Sequence, residues 1–430
     1  MTSEGSYQEA FVWIWLPGET QPVVAGRLAL VEEQLVFNYG RSYLARANAI
    51  SLYEPELPLR AGVLPLLPGL WMPNCIRDAA PDAWGRRVLI NRKFGIRGGD
   101  IDTAELTELT YLLESGSDRP GALDFQQSAT DYVPREASSA SLDELLNAVE
   151  RVDKGVPLHP DLDAALFHGS SIGGARPKAL ILDGERKYVA KFSAQRDLYD
   201  VVKAEYVAMR LAAEIGLDVA PVRLRQAAGK DVLLVERFDR ERSANGWQRR
   251  IMISALTLLG LDEMMARYAS YEELATIIRH RFASPRETLR ELFGRMLFNV
   301  LSGNTDDHAR NHAAFWNGHE LTLTPGYDIC PQARSGGEAT QAMLIAGNEN
   351  LSQVALCLKA APSFLMSERE VVALAAHQIK SIRERWESVC REAELTEIDR
   401  NFLWRRQFLN PFAFHNAPQE LAALADNVPQ

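Results

Sequence analysis

The sequence predicts an α+β chain of two lobes, a β-rich N-terminal part followed by a helical C-terminal part. Three observations carry this. In the first hundred residues, short runs such as Val23 to Leu30 and Gln34 to Tyr39 alternate apolar and polar side chains between turn residues, as half-buried strands do. Beyond about Tyr271 the apolar residues recur at three- and four-residue spacing, notably over Glu287 to Leu301 and Glu368 to Glu394, the period of amphipathic helices. Between these regimes, polar stretches at Ser115 to Gly121 and from Gln126 to Ser141 read as connections, one of them an exposed loop or linker. The division that follows is a β-rich module over 1–125, a mixed lobe over 126–240 and a helical lobe over 241–430.

Composition limits the function classes. A chain of 430 residues with 47% hydrophobic side chains can bury a large core. Lys and Arg total 47 against 57 Asp and Glu, and the net charge of −10 opposes binding to nucleic acid through phosphate neutralisation. Cys75, Cys330, Cys357 and Cys390 lie far apart without a CxxC pair, which speaks against a disulfide framework or structural zinc and for reduced thiols in the cytosol. The N-terminus carries Glu4 and Glu9 and a short apolar run ending at Pro17-Gly18, unlike a secretory signal. No stretch approaches the roughly 20 apolar residues of a membrane span, so a cytoplasmic protein without a membrane partner is expected.

The chemistry-bearing residues come in a definite order. Gly169 to Lys178 read GSSIGGARPK, a glycine-rich segment able to bring backbone N–H groups close to phosphate oxygens. It leads into a hairpin, Ala179 to Leu182 and Lys187 to Phe192 about Asp183-Gly184. Lys191, in the otherwise apolar YVAKF, suits a cation that pairs with phosphates; a strand lysine that snorkels to solvent is the plain alternative. The helix expected over Asp200 to Ile215 puts Glu205 on one face with Val202, Met209 and Ala212. There it either pairs with Lys191 or lies solvated at the stripe's edge. Val232 to Val235 reads as a buried strand running into Glu236-Arg237-Phe238-Asp239, either an adenine-binding hinge or an ordinary connector.

The densest signal lies between Leu289 and Asp328. A helix face of Leu289, Leu292, Phe293, Met296, Leu297, Val300 and Leu301 ends at Gly303-Asn304. The loop that follows, Asn304 to Asn311, carries Asp306 and Asn311 at the D-x-x-x-x-N spacing of a protein-kinase catalytic loop. Asp306 would take or orient a substrate hydroxyl proton, and Asn311 would ligate magnesium. A hairpin over His312 to Trp316 and His319 to Leu323, with a two-residue turn at Asn317-Gly318, should return the chain so that Asp328 arrives as a second magnesium ligand. His308 and His312 have an i, i+4 relation, but they flank a loop-to-strand change with no general base between them, and a structural role for His308 is the reading taken.

Together, GGARPKA, YVAKF, the Glu205 helix ending GLDVAP, VERFDR, SALTLLG, NTDDHARNH and GYDI resemble the HipA kinases, the toxin halves of bacterial toxin–antitoxin pairs. GRLAL, DAAPDAWG and DRPGAL resemble that family's amino-terminal module. The resemblance implies a two-lobed protein-kinase-like fold and ATP- and magnesium-dependent serine/threonine phosphorylation. It further implies an aminoacyl-tRNA synthetase substrate, translation arrest and persistence, and a small helix-turn-helix antitoxin through which alone DNA would be contacted. By position it implies a nucleotide site of Ser171, Gly173, Gly174, Ala175, Lys191, Glu205, Glu236, Phe238 and His308. Asp306 would be catalytic, Asn311 and Asp328 would hold magnesium, and Ser171, or the adjoining Ser170, would be autophosphorylated and inactivate the kinase. One departure is Asp307, where glycine is expected after the catalytic aspartate. Two other readings stand beside this one: a kinase fold acting on a small molecule, and a non-catalytic nucleotide-binding module or corepressor.

Overall fold

The computed structural model describes residues 7–94, 106–135, 140–154, 156, 176–194, 197, 199–334 and 336–426. It divides into two units. The first comprises Met1–Gln195, Arg225–Ile253 and Phe315–His319, and the second Arg196–Leu224, Ser254–Ala314 and Glu320–Gln430.

In the first unit the alternating N-terminal runs become β1 (Glu9–Ile14), β2 (Val23–Val31) and β3 (Gln34–Tyr39). With the short β4 (Val63–Leu64) and β5 (Leu123–Gln126) they form a five-stranded sheet in the order β4-β3-β2-β1-β5. The Asp183-Gly184 hairpin forms as expected: β6 (Lys178–Asp183) pairs antiparallel with β7 (Arg186–Phe192), closing at Asp183 opposite Arg186. With β8 (Val222–Ala227) and β9 (Lys230–Glu236) they make a second sheet, β6-β7-β9-β8. One core lies on this sheet, where Trp84, Val88, Leu145, Leu146 and Val149 from the helices Ala83–Phe94 and Leu142–Asp153 pack on Ala179, Tyr188, Ala190, Phe192, Val232 and Leu234. The Trp84 indole donates to the Lys178 carbonyl at 2.9 Å, so the N-terminal segment covers the sheet that carries Lys191.

Of the two polar stretches read as connections, the one from Gln127 to Arg135 is largely exposed, whereas Ser115 to Gly121 is buried or half-buried. The polarity of the second serves a buried ion network. The Asp118 carboxylate accepts from Arg237 Nη1 at 2.9 Å, Arg240 Nε at 3.1 Å and Lys187 Nζ at 2.6 Å. Asp239 accepts from Arg237 Nε at 2.9 Å, Arg240 Nη1 at 2.8 Å and the Gly121 N–H at 2.8 Å. Arg119, fully buried, is held by Asp124 at 2.9 Å, and its carbonyl accepts from Arg237 Nη2 at 2.7 Å. Burial by itself would raise the pKa of Asp118, but Arg237, Arg240, Lys187 and Arg249 hold it well below the usual carboxylate range. Asp239 is held at about 2 against its own burial by Arg237 and Arg240.

The second unit is built on the helix Pro285–Ser302, from which Leu289, Leu292, Phe293, Met296, Leu297, Phe298, Val300 and Leu301 are all buried. Gly303 ends it at φ +72°, and a Cβ there would lie 2.7 Å from the Gln407 carbonyl oxygen, so both conformation and space require glycine. The expected long helices are present as Glu368–Glu392, opened by a Ser367/Glu370 capping box, and as Val201–Glu214, capped by Asp200. Beyond these, Tyr271–Arg281, Val354–Ala360, Glu397–Leu403 and Gln419–Asp426 complete the helical count of this unit's larger pieces. The hairpin after the candidate loop forms with a correction. Strands β10 (Ala313–Trp316) and β11 (Leu321–Leu323) are neighbours in one sheet, but four residues join them, not two. The Asn317 side chain accepts from the His319 N–H at 2.9 Å, and Gly318 at φ +98° packs where a Cβ would meet Ile50, which lengthens the turn.

Two predictions follow from the first unit. Asp118→Ala strands three cations in a site with one remaining carboxylate, and is expected to destabilise the protein by about 3–5 kcal/mol in urea denaturation. Glu56, buried and accepting from the Cys75 N–H at 2.7 Å, is raised by burial to about 7. A carboxyl raised in the folded state stabilises at low pH and loses that contribution as pH rises through its folded pKa. Stability should therefore drop between about pH 4.5 and pH 7, and Glu56→Gln should flatten that dependence.

Candidate active site

The loop Asn304 to Asn311 is held from below by the buried helix. Asn304 is buried, its Nδ2 donating to the Asn299 side chain at 3.0 Å and its N–H to the Asn299 carbonyl at 2.9 Å. From this anchored start the chain carries Asp306 out to solvent and Asn311 back into the interior, 7% exposed. Asn311 Nδ2 donates to the Asp306 carbonyl at 3.2 Å, and the Asn311 N–H to the His308 carbonyl at 2.8 Å. The loop thus presents one carboxylate outward and engages the Asn311 amide nitrogen with its own backbone.

The hairpin returns the chain as expected: the Thr324 N–H donates to the Ala313 carbonyl at 3.0 Å, and the Tyr327 hydroxyl to the Arg310 carbonyl at 2.7 Å. The residue before Asp328 therefore touches the residue before Asn311. Asp328, half-buried, has φ +60°, a left-handed conformation that costs a non-glycine residue roughly 1–2 kcal/mol. Gly326 is fixed on both sides by Asp218 and Ala220 through backbone hydrogen bonds of 2.8 and 2.9 Å, and Arg295 ties the same turn by donating to the Asp218 and Thr324 carbonyls, each at 2.9 Å. The strain at Asp328 is thus imposed by its surroundings. As a test of fit, magnesium takes oxygen ligands at about 2.1 Å and few of them from protein. An amide oxygen and a carboxylate on two tied segments meet that demand. No cluster of three or more His, Cys, Asp and Glu side chains occurs among the described residues.

Asp307, the departure from the expected glycine, is buried with a definite task. Its carboxylate lies 2.9 Å from His312 Nε2 and accepts from the Tyr271 hydroxyl, which is itself 3.1 Å from that imidazole nitrogen. Burial and the Asp307 charge hold the Tyr271 phenol well above its usual range, so it remains the donor. His312 is thereby committed to Asp307 and Tyr271. His308 is half-buried and its carbonyl serves the loop turn, in keeping with a structural role.

Lys191 and Glu205 are both buried, so neither the snorkelling lysine nor the solvated glutamate is what the chain adopts. Lys191 belongs to the first unit, on β7, and Glu205 to the second, on the helix Val201–Glu214. Lys178, to which no role was assigned from sequence, is the direct cross-strand partner of Lys191 and is also buried. Two ammonium groups at one register position favour an anion close by. Its signal was present as the last residue of GGARPK. Glu236 is half-buried and paired to Arg186 at 2.6 Å; Phe238 is half-buried, its ring 6.0 Å from that of Phe315. Ser170, Ser171, Gly173, Gly174 and Ala175 lie outside the described residues. Sequence reasoning gave no role to Asp118, Asp239, Arg237 and Arg240, the ion network on either side of Phe238 in the sequence.

Comparison with known proteins bears on this arrangement. A HipA-like C-terminal domain matches residues 170–394, and a HipA N-terminal domain matches residues 15–126. This chain belongs to the HipA family. A Sinorhizobium fredii protein bearing the name "Putative kinase Y4mE" is 30% identical over 68% of this chain and 71% of its own length. The serine/threonine-protein kinase toxin HipA of Shewanella oneidensis is 27% identical over 37% of this chain and 42% of its own. A solved Shewanella oneidensis complex of HipA, HipB and operator DNA contains a chain that superposes with a TM-score of 0.66 at 19% identity, covering 97% of each. That likeness extends the HipA fold, with its sheets and helices, to nearly the whole chain. No helix among the described residues is long and apolar enough to cross a membrane.

If the Asp307–Tyr271–His312 group fixes the loop in this HipA-family chain, Tyr271→Phe leaves a buried carboxylate short of a donor. A loss of about 1–3 kcal/mol is expected by chemical denaturation, larger than for Tyr268→Phe at an exposed position.

Proposed function

We propose that the protein is an ATP- and magnesium-dependent protein kinase that phosphorylates serine or threonine. The observation that carries this is the loop itself: an exposed Asp306, followed five positions on by a buried Asn311 whose amide bonds back to it, with Asp328 brought round on a strained turn. An outward carboxylate with two oxygen donors behind it suits proton acceptance beside a magnesium-bound polyphosphate. In this reading Asp306 takes the proton of the acceptor hydroxyl as its oxygen bonds to the γ-phosphorus; the bond from that phosphorus to the bridging oxygen breaks, and ADP leaves. Asn311 and Asp328 would hold magnesium, which would supply neutralisation of phosphate charge. Within the first unit Lys191, with Lys178 opposite, would offer cations to the phosphates, and Glu236 and Phe238 would flank the adenine.

The relatives' names support the wider proposal. A neighbour solved as HipA with HipB and operator DNA favours a small helix-turn-helix antitoxin as partner, which fits an acidic chain that reaches DNA indirectly. As a toxin the protein would arrest growth by modifying a component of translation, an aminoacyl-tRNA synthetase in the family reading, within the cytoplasm. Self-modification at Ser171 or Ser170 would switch it off.

Incubation with labelled ATP and magnesium, alone and with cell extract, followed by mapping of labelled residues, tests the assignment. Label is expected on a serine or threonine of an extract protein and on Ser171 or Ser170. In Asp306→Asn the transfer rate should fall by roughly 10²–10⁴-fold with ATP binding retained. Undiminished transfer in that variant would sink the catalytic role, and label confined to small molecules would favour the small-molecule kinase.

A further inference from the structure

The fully buried arginines of the described residues come with carboxylates. Arg119 has Asp124 at 2.9 Å, Arg237 and Arg240 share Asp118 and Asp239, and Arg295 has Glu291 at 2.7 Å. Arg334 departs from this pattern. It is half-buried, its Nε and Nη1 are shut off from solvent without a hydrogen-bond partner, and its Nη2 makes one long bond of 3.4 Å to the Ser352 hydroxyl oxygen. No carboxylate among the described residues pairs with it, and burial pulls its pKa down with no acid to oppose the shift. Water can satisfy the N–H groups but not the charge, and a desolvated cation without a counterion is costly.

The chain around this guanidinium is nonetheless fixed. Ahead of it, the Gln332 N–H donates to the Gly303 carbonyl at 3.0 Å, and the Tyr199 hydroxyl donates to the Pro331 carbonyl. Its neighbours Ser352 and Gln341 are buried, the Ser352 N–H donating to the Ala339 carbonyl at 2.9 Å and the Gln341 N–H to the Asn350 carbonyl at 2.7 Å. The Ser352 oxygen also accepts from Gln341 Nε2 at 3.1 Å, so the hydroxyl proton has no acceptor among the described residues. Gln341 Oε1 is likewise buried without a partner, and turning that amide over would give Oε1 the Ser352 proton and release Nε2. In either setting one further donor remains beside the guanidinium. At Gly336 and Gly337 a Cβ would meet nothing within 4 Å, so the chain just beyond Arg334 borders open space.

The donors left over describe their ligand. Nη2 belongs to both edges of the guanidinium, beside Nε on one and Nη1 on the other, so an oxyanion that displaces the long Ser352 bond is gripped by two parallel N–H···O bonds. With the donor from Ser352 or Gln341, three donors and one positive charge match the three terminal oxygens of a phosphoryl group better than the two of a carboxylate. We propose that Arg334, with Ser352 and Gln341, forms a binding site for a phosphoryl group, borne on a protein side chain or free as inorganic phosphate. The site lies in the second unit, six residues after Asp328 and on the segment bonded to Gly303, where the candidate loop begins. It goes beyond the kinase reading and requires no nucleotide.

The test is urea denaturation of the full-length protein and of Arg334→Met in increasing inorganic phosphate, with ionic strength held constant by chloride; the rise in midpoint gives an apparent Kd. Phosphate bound elsewhere, at Lys191 and Lys178 included, contributes alike to both proteins. The unsubstituted protein is expected to bind phosphate about tenfold more tightly than the variant. In chloride alone the variant is expected to be at least as stable, because methionine removes an uncompensated charge and still fills the space. Equal responses of the two proteins to phosphate overturn the proposal. So does a variant markedly less stable in chloride, which would show the guanidinium to be held by the fold itself. A response to acetate as large as that to phosphate overturns the choice of a phosphoryl group. A short phosphoserine peptide, set against the same peptide with serine, separates the two sources: tighter binding of the phosphoserine form that is lost in Arg334→Met supports a side-chain phosphate, and a response to inorganic phosphate alone supports the free ion. No ATP enters these measurements, so this inference and the kinase reading fail separately.

Discussion

The constraint on which the first unit depends is the pairing of Asp118 and Asp239 with Arg237, Arg240 and Lys187. Burying an isolated charge is prohibitive, and burying Arg237, Asp239 and Arg240 with Asp118 and Lys187 half-buried beside them is possible only if each has its counterion and its remaining hydrogen bonds. Here the backbone completes the accounting, with the carbonyls of Arg119 and Gly121 accepting from Arg237 and Arg240. The network joins the end of the N-terminal sheet to the strand β7 and to the segment following β9. Those are the strands that bear Lys191 and Glu236, so the N-terminal module is part of the framework that carries both residues within this unit. The removal of a single partner leaves a surplus charge in the interior, which is why the tie is sensitive in spite of its many bonds.

The second unit uses polar burial differently. Around the candidate loop the buried groups are few and each orients a neighbour: Asn304 fixes the loop's start, Asp307 draws Tyr271 and His312 together beneath it, and Arg295 clamps the turn before Asp328. Asp306 is the exposed carboxylate of this loop, between the buried Asn304 and Asp307. A carboxylate carried between anchored neighbours is pre-positioned, and the positive φ of Asp328 shows the same scaffold overriding a local backbone preference.

What was legible in the sequence was what local pattern controls. The strands Val23–Val31 and Gln34–Tyr39, the hairpin about Asp183-Gly184 and the helices at 201–214, 285–302 and 368–392 all follow from periodicity, capping residues and glycine stops. Asp306 and Asn311 were singled out by spacing and Asp328 by the return of the hairpin, and the family was read from the joint set of motifs, which the domain matches bear out. Polar character left open which of the two stretches is the exposed one, and it did not show the ion network at Ser115 to Gly121, since composition cannot distinguish a solvated turn from buried charges whose partners lie far along the chain. The Asn317-Gly318 turn misled for a related reason: Gly318 answers to Ile50, a contact absent from any local window. Lys178 was quoted within a motif but given no role, because only the strand register sets it opposite Lys191.

The separation of those ionic partners has a consequence for how the chain is made. Asp118 and Arg237 are 119 positions apart, and Gly121 and Asp239 are 118 apart. On a ribosome that emits the chain from its N-terminus, the module ending near Gln126 emerges with Asp118 still lacking its counterions. It must hold that carboxylate in water until the strand β9 and the residues after it follow. Closure of the ion network is thus a late, long-range event of the kind that slows folding, and it cannot be finished while the growing chain is short of about residue 240. A chain of the HipA family assembled in this order neutralises Asp118 well after its N-terminal sheet has been synthesised, and its first unit waits longer still, for Phe315–His319.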